Sequence, residues 1–178
     1  MSDCALTQDY SLGCSDFFGG LNETYIMEFS NVAPNGITIV SGSGVVTGIT
    51  KTTGSIFRKY ELEAHTGDGK EDLTVNRANG TKSVKQTVQF PINGMNVSVR
   101  NEIELIAANR LVIVIVDNNG TGWIYGKDFG MRLSKGGAGT GKALSDRNGY
   151  DLTFESEEKY LACQVDSATL ATLQTPGT

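Results

Sequence analysis

The segment Gly136-Gly137-Ala138-Gly139-Thr140-Gly141-Lys142 satisfies the G-x-x-x-x-G-K spacing with which backbone N–H groups cradle a phosphate. A phosphate loop continues with Ser or Thr to hold magnesium, and it opens a helix whose N-terminus faces the anion. Here Ala143 follows, and the next residues lead into a strand pattern, so 136–147 reads as a flexible glycine-rich loop between strands. His65 is the single histidine, and any Ser-His-Asp or Cys-His arrangement with Ser55, Ser83 or Cys163 has to be built on it. It falls on the polar side of an alternating segment just before a turn, the position of a solvated imidazole. Glu61, Glu63, Glu155, Glu157 and Glu158 offer carboxylates for a glycosidase pair, but glutamates at these alternating positions read as solvated strand faces.

Metal and ligand motifs are equally thin. Asp117-Asn118-Asn119-Gly120 lacks the twelve-residue calcium loop and its closing glutamate, whereas Asn-Gly is the preferred two-residue hairpin turn. Cys4, Cys14 and Cys163 are odd in number and have no C-x-x-C spacing, which speaks against a zinc site or a disulfide framework and for reduced thiols. Trp123, Tyr125, Phe129 and Tyr150 suit a sugar-binding or base-stacking platform, although aromatics on alternating strands more often fill a core. The expectation is a protein that is not an enzyme, with no catalytic set, no cofactor and no metal ligands.

A chain of 178 residues, 39% hydrophobic and 20% charged, fits one globular domain with arms, and 22 glycines against 3 prolines suit a β-rich fold with tight turns. The net charge of −5 opposes adhesion to nucleic acid or to an anionic membrane. The first twenty residues carry neither a basic segment nor an apolar run of the signal-peptide kind, and no stretch is long and apolar enough to span a bilayer. The N-x-S/T sequons at Asn22, Asn79, Asn96 and Asn119 therefore read as ordinary turn residues.

The elements that would position these residues are mostly strands. Residues 1–22 show no periodicity and form an N-terminal arm, 23–163 the β domain, and 164–178 a C-terminal tail. Strands are expected at 24–29, 37–40 and 45–49. Over 56–65 the alternation is the clearest of the first half, with Ile56, Arg58, Tyr60 and Leu62 opposite Phe57, Lys59, Glu61 and Glu63. A hairpin turn at 77–80 leads into 83–90, where Val84, Gln86, Val88 and Phe90 share a face and Pro91 closes the strand. Val99, Ile103 and Ile106 recur at helical spacing behind Ser98 as N-cap, which predicts a helix near 99–109. The unbroken apolar run 111–116 must be covered on both faces. The turn 117–120 returns it through Trp123-Ile124-Tyr125, and Met131 and Leu133 begin another strand. Tyr150, Leu152 and Phe154 alternate on the last clear face, with Tyr160, Leu161 and Val165 as its extension. A short helix is expected at 166–173, capped at Asp166 or Ser167. The predicted class is mainly β, two packed antiparallel sheets in a sandwich or barrel-like arrangement with one flanking helix.

Taken in order, an arm with Cys14 and Gly19-Gly20, a helix before 111–116, the hairpin through Asn119-Gly120, Trp123-Ile124-Tyr125-Gly126, Phe129-Gly130, and Gly139 to Gly141 ahead of Asp146-Arg147-Asn148-Gly149-Tyr150-Asp151-Leu152-Thr153-Phe154 resemble the tail tube proteins of tailed phages and prophages of Bacteroidetes-type hosts. The resemblance spans about residues 14–163. It implies a homo-oligomer of stacked, hexameric rings whose inner sheets join into a continuous lumen wall. Implied partners are the tape measure, terminator and tail-tip proteins, with genomic DNA passing through the lumen unbound and no membrane. The implied location is the virion tail, after synthesis in the bacterial host cytoplasm. Candidate assembly contacts are Phe17 and Phe18 of the arm, Thr50, Lys51, Thr52 and Thr53 in the loop 44–55, Gly139, Lys142 and Arg147 in the loop 136–147, and the C-terminal tail. A neck, connector or tail-tip ring is the alternative within the virion. A monomeric carbohydrate- or host-surface-binding β-sandwich is the alternative of another class, and a hydrolase a weaker third.

Overall fold

The computed structural model describes Tyr10, residues 18–63 and residues 66–177. Expectations that fall on Cys4, Cys14, Phe17 and His65 lie outside the described residues. The architecture is mainly β, with two sheets and two helices. The larger, seven-stranded sheet has the order β2 (Val32–Ile39), β3 (Val45–Lys51), β11 (Cys163–Val165), β8 (Gly122–Tyr125), β7 (Leu111–Asp117), β1 (Leu21–Glu28), β4 (Arg58–Glu61). The smaller has four strands in the order β5 (Asp68–Asn76), β6 (Thr81–Asn93), β10 (Gly149–Glu158), β9 (Arg132–Gly139). Every pairing is antiparallel except that of β11 with β3.

Strand β7 is covered on both faces, as its composition requires. Leu111, Ile113 and Ile115 point into a core shared with Val88, Phe90, Leu152 and Phe154 of the small sheet, where Phe90 and Phe154 stack at 5.5 Å. Val112 and Val114 point the other way, into a second core with Met27, Val46, Phe57, Ile124 and Val165. The flanking helix α1 (Val97–Ala108) closes the first core with Ile106 and Ile103. The second helix, α2 (Ser167–Thr172), closes the other core with Leu170 and, just past its end, Leu173.

Several boundaries differ from those read in the sequence, each for a physical reason. The cap of α1 is Asn96, whose side chain accepts from Val99 N–H at 2.9 Å, so Ser98 lies inside the helix. Asp166 caps α2 in the same way. The clear alternation at 56–65 yields only the four residues of β4, because pairing with β1 runs only from Arg58 to Glu61. Phe57 leaves the ladder to fill the second core. Pro91 does not end β6: the strand continues to Asn93, and Pro91 pairs with Asp151. Strand β5 stops opposite Gln89, so β6 is an edge on that side at Pro91 and a missing N–H costs the sheet no bond there.

The tract read as a flexible loop at 136–147 begins as strand, since residues 136–139 pair with 149–152 of β10 and only 140–148 form the connection. Val165 does not extend the last strand of the small sheet. After Glu158 the chain crosses to the large sheet, where β11 enters between β3 and β8. The segment 164–178 thus contributes Val165 and Leu173 to the second core. Asn96→Ala is expected to lower the unfolding free energy by about 1 kcal/mol, whereas Ser98→Ala, inside the helix, changes it little. Urea titration of both variants distinguishes the two caps.

Candidate assembly interface

The small sheet presents two long edges and one polar face. Strands β5 and β9 are its outer strands, each hydrogen-bonded on one side only. Edge strands are usually blunted by bulges, prolines or covering segments. β9 (RLSKGGAG) has one bulge and is mostly exposed, and at Gly137 and Gly139 an added Cβ would meet nothing within 4 Å. No neighbouring group therefore covers β9 at these two glycines, although both still pair with β10 on their other side. The two edges differ in sign: β5 shows Asp68 and Asp72 against Lys70, which pairs with Asp68 at 2.9 Å, while its Glu71 turns inward, and the charges of β9 are Arg132 and Lys135.

Alternation along the register assigns the outward face. With Val84, Gln86, Val88 and Phe90 inward, Ser83, Lys85, Thr87 and Gln89 of β6 face out, beside Asp151, Thr153, Glu155 and Glu157 of β10. Lys70, Asp72 and Thr74 of β5 continue this face, with a Lys85–Glu155 ion pair at 3.2 Å across it. Acidic and basic groups are interspersed. Leu73 and Val75 belong to the inward side of β5 but lie beyond the core, where they are 55% and 59% exposed near the turn 77–80. Sequence reasoning did not single them out. The alternation of Leu73 and Val75 with Asp72 and Thr74 signals a face built for burial, and within the subunit that burial is missing.

The inward polar residues of the small sheet tie it to the large one. The Gln86 side chain accepts from Gly126 N–H at 2.9 Å and donates to Glu71 at 3.1 Å, while Glu71 also accepts from Ala162 N–H at 2.6 Å. Glu158 accepts from the N–H groups of Asp128 and Phe129 at 2.9 and 3.2 Å. Gly126 has φ 71°, and an added Cβ would lie 2.7 Å from Met131 N, so only glycine suits this turn. Burial pushes the Glu158 carboxyl above its ordinary 4.5, partly offset by these two N–H donors.

The candidate contacts fall into three separate places. Phe18, 66% exposed, is anchored by its backbone to the β7–β8 turn: Phe18 N–H donates to Asn119 at 2.9 Å, and the Asn119 amide donates back to the Phe18 carbonyl at 3.0 Å. Thr50 and Lys51 end β3, and Thr52 and Thr53 follow it. The Lys51 ammonium donates to the carbonyls of Thr172 and Leu173 at 2.8 and 3.1 Å, and also to that of Thr175, so it holds the end of α2 within its own subunit. Burial lowers its pKa. Thr53 bridges to Gly177, which fastens the C-terminal segment to the same loop. Gly139, Lys142 and Arg147 gather at the β9–β10 connection: Gly139 pairs with Gly149, Lys142 N–H donates to Asp146 at 2.8 Å, and Arg147 forms an ion pair with Asp151.

The chemical motifs are dispersed. The glycine-rich tract is half strand and half turn, and the strand follows it where a phosphate site requires a helix. Glu155 and Glu157 face outward while Glu158 faces inward. No group of three or more metal-ligating side chains occurs among the described residues, and no helix is long and apolar enough to cross a membrane. Tyr125 is buried in the first core with Trp123 and Tyr150 packed against it, while Phe129 sits under Lys159 on the 126–130 turn, so the four aromatics do not form one platform. No protein-family model, curated protein or solved structure matches the chain.

Two tests follow from these contacts. Glu158 binds its proton more readily folded than unfolded, so its ionisation opposes folding. The penalty is absent below 4.5 and complete above the raised folded-state value. Glu158→Gln should therefore gain stability relative to the parent as pH rises through that window, measured as the difference in urea midpoints. Lys51→Met should speed amide hydrogen exchange at residues 167–177 and leave β7 protected.

Proposed function

We propose that this chain is a structural subunit of a phage virion, a tail tube protein that polymerises as stacked hexameric rings around a channel for DNA. The observation that carries this reading is the small sheet, whose two long edges are open and opposite in charge and whose outer face is polar. Its four strands alternate in direction, so β5 and β9 run oppositely. A copy rotated about a ring axis brings its acidic β5 edge beside the basic β9 edge of its neighbour in antiparallel sense, and the ladder continues from copy to copy. Such a heterologous contact closes into a ring when the rotation divides a full turn. The polar faces then line the lumen, where interspersed charges offer phosphate no continuous basic track.

Leu73 and Val75, with the anchored arm at Phe18, supply apolar surface for contacts between rings. The same geometry serves a neck, connector or tail-tip ring, and the tape measure, terminator and tip proteins are the partners that the tube reading brings. The subunit would be made in the host cytoplasm and end in the virion tail.

Negative-stain electron microscopy of the purified protein, concentrated stepwise with mass photometry alongside, tests the reading. Rings or hollow tubes are expected, and a chain that stays monomeric at every concentration overturns self-assembly. Lys135→Glu, which reverses a charge on the exposed β9 edge, should abolish the assembled species while shifting monomer stability by no more than about 0.5 kcal/mol. Adding Asp72→Lys to the same chain should restore them.

A further inference from the structure

At one end of the sandwich the sheets part, leaving a cleft of about 380 Å³ between β5 and the strands β1, β7 and β8. Asp68, Gly69, Glu71, Asp117, Trp123 and Tyr125 line it, and no basic side chain does so among the described residues. Tyr125 is only 5% exposed, and its hydroxyl makes no hydrogen bond among the described residues, so the part of this side chain that is open to a ligand is the polar tip at the cleft. Gly69 forms the wall beside it, since an added Cβ would lie 3.1 Å from that hydroxyl and 2.6 Å from Ile115 Cδ1.

The carboxylates keep acceptor capacity. Glu71 uses one oxygen for both Gln86 and Ala162, and Asp117 uses one oxygen for the N–H groups of Asn119 and Thr121. The second oxygen of each makes no hydrogen bond among the described residues. Burial, followed by the charges of Glu71 and Asp68, holds the Tyr125 phenol well above its ordinary pKa, so its oxygen stays protonated and retains a lone pair that accepts.

We propose that this cleft binds an organic cation, a primary ammonium or guanidinium group on an aliphatic stem, with the head at Glu71 and the Tyr125 hydroxyl and the stem along Trp123. A cation beside an indole and a phenol gains from the ring quadrupoles in addition to the carboxylate. A bare metal ion suits the site less, because no group of three ligating side chains converges among the described residues. Asp68 already pairs with Lys70 at 2.9 Å, so the charge left to a ligand beside Tyr125 is that of Glu71, which a neutral sugar would leave unanswered. Two sources share this chemistry: a Lys or Arg side chain of a second copy, and a free polyamine.

The site stands apart from the tube reading, and its test uses the unassembled full-length chain. Trp123 is the only tryptophan, so its fluorescence reports the cleft directly. Titration with spermidine and with Nα-acetylarginine amide at low salt is expected to give a saturable change. Tyr125→Phe and Glu71→Gln should each weaken it, the latter by about tenfold or more. Asp68→Asn, on the exposed rim, provides a third variant should Glu71→Gln fail to fold. A flat titration, or binding that none of the folded variants alters, overturns the site. In an assembled form, a cleft that no longer responds identifies a neighbour's side chain as the occupant, and one that still responds identifies the free cation. A protein that never assembles but binds spermidine overturns the tube reading and leaves this one standing.

Discussion

Strand β7 excludes water from both of its faces, and the other elements are arranged to make that possible. Five consecutive apolar side chains, Leu111 to Ile115, are almost completely buried, and alternation sends them into two different cores. One core needs a second sheet and α1. The other needs Phe57 displaced from its ladder and Leu170 and Leu173 brought back from the end of the chain. At about 25 cal/mol per Å² of buried apolar area, each of these side chains is worth roughly 2 kcal/mol. A strand of this kind cannot be left at a surface, so both layers around it are obligatory.

The polar junction at Gln86, Glu71 and Glu158 solves the problem that double cover creates. A chain that passes from the large sheet to the small one and back must bend through turns, and the N–H groups of Gly126, Asp128, Phe129 and Ala162 find no strand partner there. Side chains of the small sheet accept all four. The layers are thereby fixed in register by hydrogen bonds as well as by packing.

The sequence was most legible where local pattern and tertiary demand agree. The apolar run of β7, the Asn119-Gly120 turn and the Asp166 cap all follow from local chemistry. It was least legible where pairing overrides it. Gly136, Gly137 and Gly139 have low strand propensity and no periodicity, yet the neighbouring β10 draws them into a ladder. Arg58 to Leu62 alternate well, but β4 stops at Glu61, opposite Glu23, although β1 itself continues to Leu21. The three residues of β11 are too few to show any period. The candidate surface was the least legible of all, because the charge difference between β5 and β9 has meaning only once the strand order makes them opposite edges.

Strand β11 occupies an inner position in the large sheet although its residues come near the C-terminal end of this sequence. It separates β8 from β3, whose partner residues Val45 and Val46 are translated far earlier. On the ribosome, β2 and β3 must wait unattached to the rest of the sheet until residues 163–165 emerge, and the second core stays open for the same interval. Newly made chains thus reach the subunit fold only as synthesis of this region finishes, and growing chains clustered on one messenger RNA do not yet present a finished surface to one another.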